Sequence, residues 1–120
     1  MDNSSASDFM LALGHEKRLT IYRLLVKAGF GGMNVGALQK ELGIAPSTLS
    51  HHVAWLARAG LIKQERRGRE IVCRADFVLM RRMVAFLTDE CCAGVGLDAC
   101  LPEEAAEKTA GGAKGAADAA

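Results

Sequence analysis

Three of the four cysteines in this 120-residue chain fall within ten positions, in the stretch "TDECCAGVGLDACLP" at residues 88–102. Cys91, Cys92 and Cys100 supply thiolates, which bind soft ions and are also the species that oxidises. Three of them suit a soft ion that takes three ligands. Zinc wants a fourth, which Asp89, Glu90 or Asp98 could supply. Neighbours on a regular helix point about 100° apart, so Cys91 and Cys92 serve one ion only where the helix has unwound. Gly94 and Gly96 ease the turn that would bring Cys100 back. Cys73, inside "IVCRAD", has apolar neighbours and is expected in the core.

The elements ahead of these cysteines are short helices and one hairpin. Asp8 suits a cap for a helix through Phe9, Met10, Leu11 and Leu13, which leaves residues 1–7 as a flexible N-terminus. A second helix, about residues 16–28, repeats Leu19, Tyr22, Leu25 and Val26 at helical spacing. Asn34 caps a third, carrying Val35, Leu38 and Leu42 and stopped by Gly43. "IAPSTLSHHVAWLARAG" gives a fourth, with Pro46 at its first position and Gly60 as its stop. "LIKQERRGREIVCRAD" alternates around Arg67-Gly68 and reads as a β-hairpin with a basic tip.

A last helix covers about residues 76–90. Its Leu79, Met80, Met83, Val84, Phe86 and Leu87 spread over roughly 160° of arc, wider than the ~100° stripe one core requires. The surplus face calls for a homodimer. Residues 8–92 are thus the expected folded domain, 93–102 a cysteine-bearing ligand segment, and 103–120 an Ala/Gly-rich tail. That tail has no aromatic or branched apolar side chain to offset its ordering entropy, and is expected to be disordered.

The net charge of +1 hides an asymmetry: residues 1–75 hold 11 Lys/Arg against 6 Asp/Glu, and residues 76–120 hold 4 against 8. A basic front half suits a module that binds a polyanion. The N-terminus lacks the basic and apolar regions of a signal peptide, and no apolar run is long enough for a membrane span. The expected location is therefore the cytoplasm, where thiols stay reduced. No Ser/His/Asp, paired-carboxylate or phosphate-loop constellation points to an enzyme.

Helix, short turn, helix and basic hairpin make a mainly α winged helix-turn-helix. On the fourth helix Leu49, Val53 and Leu56 share one face, while Ser47, His51, Ala54 and Arg58 lie opposite, flanked by Thr48 and Ser50. Small hydrogen-bonding groups on an apolar-backed helix can approach base edges in a major groove. Ser47 and Thr48 stand at the helix start, where backbone N–H groups meet phosphates. Arg66, Arg67 and Arg69 bracket Gly68 and suit phosphate or minor-groove contact.

"LGHEKRLTIYRLL" together with "ALQKELGIAPSTLSHHVAWLARAGLIKQERRGREIVCRAD" resembles the ArsR family of metalloid- and metal-responsive repressors. The resemblance covers roughly residues 8–92 and is most specific over "PSTLSHHVAWLARAGLI". It implies a repressor dimeric through its first and last helices, whose fourth helix reads an inverted repeat in double-stranded operator DNA. Ser47, Thr48, Ser50 and His51 would be the reading residues. Ala45 departs from the Ser or Asp often found at that cap. The family's cysteine box at the third helix is absent from "NVGALQKEL", and its carboxylate–histidine zinc site is absent from a last helix without histidine. "ECCAG" resembles relatives with a relocated C-terminal arsenite site. Cys91, Cys92 and Cys100 would then bind As(III) or Sb(III) as inducer. The same cysteines also fit a thiol redox or persulfide switch, and a zinc-stabilised protein-interaction module is a third reading.

Overall fold

The computed structural model describes residues 1–94. Its elements are α1 (Asn3–Leu13), α2 (Glu16–Ala28), β1 (Met33–Asn34), α3 (Val35–Leu42), α4 (Pro46–Arg58), β2 (Ile62–Arg67), β3 (Glu70–Ala75) and α5 (Phe77–Thr88). A 3₁₀ turn, Gly29–Gly31, links α2 to β1. The chain divides into two units, Met1–Leu87 and Thr88–Ala120, the second described over residues 88–94. Cys100 and the expected tail, 103–120, lie outside the described residues.

Helix α1 begins five residues before Asp8. Asp2, not Asp8, is its cap: the Asp2 carboxylate accepts the Ser5 N–H at 2.8 Å. Residues 3–7, expected as a flexible leader, are therefore helical. Ala6, Phe9 and Ala12 face inward, a stripe too small-sided to stand out in the sequence. In α2 the buried face is Arg18, Ile21, Tyr22 and Leu25. Leu19, counted among the apolar positions, is exposed. A buried arginine holds the inward position that a hydrophobic count passes over.

Asn34 caps α3 as expected, accepting the Ala37 N–H at 2.7 Å, and Gly43 ends it in the left-handed conformation. In α4, Pro46 occupies the first turn and Leu49, Val53 and Leu56 are buried. They join Ile21, Leu25, Leu38, Leu61 and Cys73 in the core. Each fully buried aliphatic side chain there contributes about 1.5–3 kcal/mol. Burial also pushes the Cys73 thiol up, against the lowering effect of a Gln64 hydrogen bond.

The expected hairpin is one part of a three-stranded antiparallel sheet in the order β1-β3-β2. Strands β2 and β3 pair from Ile62 opposite Ala75 to Arg67 opposite Glu70, so Gly68 and Arg69 form the turn. On the other side of β3, Met33 lies opposite Cys73 and Asn34 opposite Val72. Two residues are too few to show alternation, which hid β1 from the sequence reading. Gly32 makes this pairing possible. Its φ of 69° and ψ of −166° are a backbone state essentially confined to glycine. A Cβ there would overlap the Cys73 carbonyl oxygen and stand 3.0 Å from Arg74 Cβ.

Helix α5 is shorter than expected, ending at Thr88. Asp76 precedes it and its Oδ1 accepts the Leu79 N–H at 3.0 Å. Met83 is buried, Leu79, Met80 and Phe86 pack partly against the core, and Val78, Val84 and Leu87 are exposed. On α1, Met10 and Leu11 are exposed as well. Among the described residues no helix is long and apolar enough to cross a membrane.

Candidate nucleic-acid interface

The winged helix brings the expected DNA-contacting residues to the outside of one unit. Ser47, Ser50 and His51 on α4 are exposed and Thr48 is half-buried. Arg66 and Arg67 at the end of β2 and Arg69 in the turn are exposed too. Ser50 and Arg69 line one groove of about 420 Å³, between the start of α3, the side of α4 and the wing. Asn34, Val35, Gly36, Val53, Ala54, Gln64 and Ile71 also line it, with Glu70 as its acidic member. Helix and wing therefore share one concave surface. Arg67 Nη2 sits 3.2 Å from Glu65 Oε1, so one wing cation is partly neutralised within its own strand.

Ala45 offers no side-chain acceptor at the start of α4. That omission weakens the helix by about 1 kcal/mol. It also leaves the Ser47 and Thr48 N–H groups for an acceptor from outside, and a phosphate oxygen fits that role.

Behind the outer face of α4 the structure gathers residues that the sequence left apart. His52 is buried on α4, beside Leu49 and Val53. Its ring centroid lies 4.6 Å from that of His15 and 5.6 Å from that of His51. Burial pushes the His52 imidazole below its ordinary range, and His15, Arg18, His51 and Lys17 push it further the same way. Its Nδ1 has no hydrogen-bond partner among the described residues.

His15 starts α2, its Nδ1 accepting the Lys17 N–H at 3.1 Å. With that lone pair engaged and Lys17 and Arg18 alongside, the histidine corner is unsuited to a cation. Arg18 packs its guanidinium over Trp55, 4.1 Å from the ring centroid. Neither Arg18 nor Trp55 was singled out from sequence. The spacing of 49, 52, 53 and 56 does place His52 on the buried stripe.

In the second unit, Cys91 and Cys92 are exposed and their sulfurs are 3.7 Å apart. Regular winding has ended: the Cys91 N–H donates to the Thr88 carbonyl at 3.1 Å, and the Ala93 N–H to that of Glu90 at 3.0 Å. Glu90 at φ 58° and Cys92 at φ 63° adopt the left-handed conformation, a strained state for side chains of this kind that costs about 1–2 kcal/mol each. Among the described residues no group of three His, Cys, Asp or Glu side chains is set to hold a metal ion. The third expected ligand, Cys100, falls outside them.

Comparison with known proteins agrees with this architecture. A family model described as a helix-turn-helix domain matches residues 13–65. Nodulation protein NolR of Rhizobium meliloti is 31% identical over 88 residues, spanning 73% of this chain and 70% of NolR. Transcriptional activator HlyU of Vibrio cholerae is 29% identical over 89 residues, spanning 72% of this chain and 80% of HlyU. The solved structure of HlyU superposes with a TM-score of 0.61 at 27% identity, over 73% of this chain and 95% of HlyU. Mb0332 of Mycobacterium bovis, solved as a homodimeric winged helix-turn-helix DNA-binding domain and described as a possible ArsR-family regulator, gives 0.57 at 26% identity, over 72% and 81%. The helix-turn-helix, the wing and these relatives together establish that the chain belongs to the ArsR family of winged helix-turn-helix transcriptional regulators.

Proposed function

We propose that two copies of this chain form a repressor that occupies an inverted-repeat operator and leaves it when As(III) or Sb(III) binds Cys91, Cys92 and Cys100. The outward display of Ser47, Thr48, Ser50 and His51 beside a basic wing supports the DNA half of this reading. The exposed apolar side chains of α1 and α5, Leu11 at 64% and Leu87 at 58% of their full exposure among them, support the homodimer. In that dimer the two α4 helices stand about one DNA turn apart, ~34 Å.

The observation that carries the ligand half is the pair of exposed sulfurs 3.7 Å apart. Left-handed backbone at Glu90 and Cys92 brings both thiols to one place, which continued helix would prevent. Soft trivalent ions prefer such thiolates. A bond between the two sulfurs is disfavoured, because adjacent Cα atoms are about 3.8 Å apart and disulfides usually need about 4.4 Å or more. An ion bridging two sulfurs meets no such limit, and Cys100 is the candidate third ligand.

Because α5 runs on in sequence into Cys91, ligand binding and DNA binding are linked. The expected coupling is ~1–3 kcal/mol, and bound DNA weakens metalloid binding by the same factor. The test is fluorescence anisotropy of labelled DNA from upstream of the gene, titrated with arsenite in a phosphine reductant. Release near one arsenite per chain is expected, with Cys92→Ser binding DNA and failing to release. Tight binding without release would move the cysteines to a redox, zinc or structural role. No binding would remove the DNA reading.

A further inference from the structure

Arg18 is only 6% exposed, yet no carboxylate among the described residues lies within ion-pair distance. A buried charge is costly unless its hydrogen-bonding groups are met. Here α1 supplies two acceptors: Arg18 Nε donates to the Ala12 carbonyl at 2.6 Å and Nη2 to the Leu11 carbonyl at 3.4 Å. These carbonyls belong to the last turn of α1, the end that attracts a cation. The guanidinium carbon then lies over the Trp55 ring of α4. One turn back on the same helix, the His51 ring meets Trp55 edge-on, with centroids 6.2 Å apart and planes at 81°. Guanidinium, indole and imidazole thus form a continuous row of contacts from the end of α1 to an expected base-reading side chain. His52, against His15, holds α4 on the same flank. A methionine could fill the space of Arg18 without desolvating a charge. What the guanidinium adds is direction, because two carbonyls hold it and its cationic centre sits over the indole ring.

We propose that Arg18 is a positioning residue for DNA reading: anchored on the last carbonyls of α1, it sets Trp55 and with it the angle at which α4 presents its outer face. The proposal rests on α4 being the helix that reads the operator. It makes α1, the helix with an exposed apolar face, mechanically continuous with the reading surface. Arg18 itself is too buried to reach a phosphate, so it acts on sequence preference and not on general attraction to DNA.

The test uses the full chain and two duplexes, one selected by the wild-type protein from a randomised pool and one of scrambled sequence. Arg18→Lys and Arg18→Met should each lose about tenfold in preference for the selected duplex, on the scale of couplings within one contact network. Affinity for the scrambled duplex and its salt dependence should stay as in the wild type. Trp55→Phe, which keeps an aromatic face, should retain the preference, and Trp55→Leu should lose it. Arg18→Met combined with Trp55→Leu should be no worse than either alone.

Trp55 is the sole tryptophan, so its emission should change in Arg18→Lys while melting stays cooperative. That variant keeps the test open should Arg18→Met fail to fold. Unchanged preference in both Arg18→Lys and Trp55→Leu would overturn the proposal. So would a loss fully restored by cooling, which would make the role one of stability, or a lower salt dependence in Arg18→Met, which would put Arg18 on a phosphate. Failure of the wild-type chain to select any sequence would overturn the DNA reading instead.

Discussion

Alanine at Gly32 should destabilise the protein more than alanine at Gly29, although the two glycines share one backbone conformation. Gly29 has φ 79° and ψ −160°, Gly32 φ 69° and ψ −166°. Forcing an L side chain into that region costs about 1–3 kcal/mol at either position. A Cβ on Gly29 would meet nothing within 4 Å, so the backbone cost is its whole cost. At Gly32 the Cβ would run into the Cys73 carbonyl oxygen and press on Arg74, and such overpacking adds about 1–3 kcal/mol. The expected losses are therefore ~1–3 kcal/mol for Gly29→Ala and ~2–6 kcal/mol for Gly32→Ala. Displacing β1 also moves Asn34, the cap of α3, so DNA binding should weaken in Gly32→Ala as well. Urea unfolding followed by circular dichroism measures both, with equal slopes validating the comparison. Equal losses for the two variants would refute the reasoning, because the close approach of β1 to β3 would then not be what Gly32 permits.

Three further outcomes are expected. Burial, together with the neighbouring His15, Arg18, His51 and Lys17, holds the His52 imidazole below its ordinary value in the folded chain, so the unfolded chain takes up that proton first. Stability should be full above about pH 6.5, fall as the pH drops from there, and level off below the folded-state value; His52→Leu should flatten that decline in melts between neutral and acidic pH, and an unchanged decline would count against it. Arg66→Ala and Arg69→Ala should each lower the salt slope of DNA binding by about 0.9 if each meets one phosphate. Arg67→Ala should lower it less, because Glu65 stands 3.2 Å away; a slope unchanged in all three would remove the wing from the interface. Asp76→Ala should cost about 1 kcal/mol through the lost cap of α5, whereas Lys63→Ala, which breaks only a 3.9 Å surface pair, should stay within about 0.5 kcal/mol.

The parts of the fold legible in the sequence were those with local chemistry behind them. Asn34 and Pro46 mark helix starts, Gly43 marks an end, and the period of Leu49, Val53 and Leu56 finds the buried face of α4. What escaped depends on contacts distant in sequence. Strand β1 exists because Gly32 lets two residues reach β3, some forty positions on. The cap at Asp2 was hidden because Ser4, Ser5 and Ser7 look like a loop when no partner for Ala6 and Phe9 is known. Of the candidate interface, the exposure of the outer face of α4 and of the basic wing could be read directly. Its support could not, because Arg18 is a charged residue at a core position and its partners are carbonyls of another helix.

The sheet has two outer edges, and neither invites another strand. Strand β1 offers only two residues, and β2 beyond Ile62 carries Lys63, Gln64, Glu65, Arg66 and Arg67, all exposed. Charged side chains along an edge oppose a second edge laid against it, since like residues would meet like. The same arginines that suit a DNA backbone thus keep two wings from zipping together at high protein concentration. Self-association is steered away from the sheet, toward helices whose outer faces are apolar. The five exposed residues from Lys63 to Arg67 would therefore serve two ends in the proposed repressor, attracting the polyanion and discouraging a second wing.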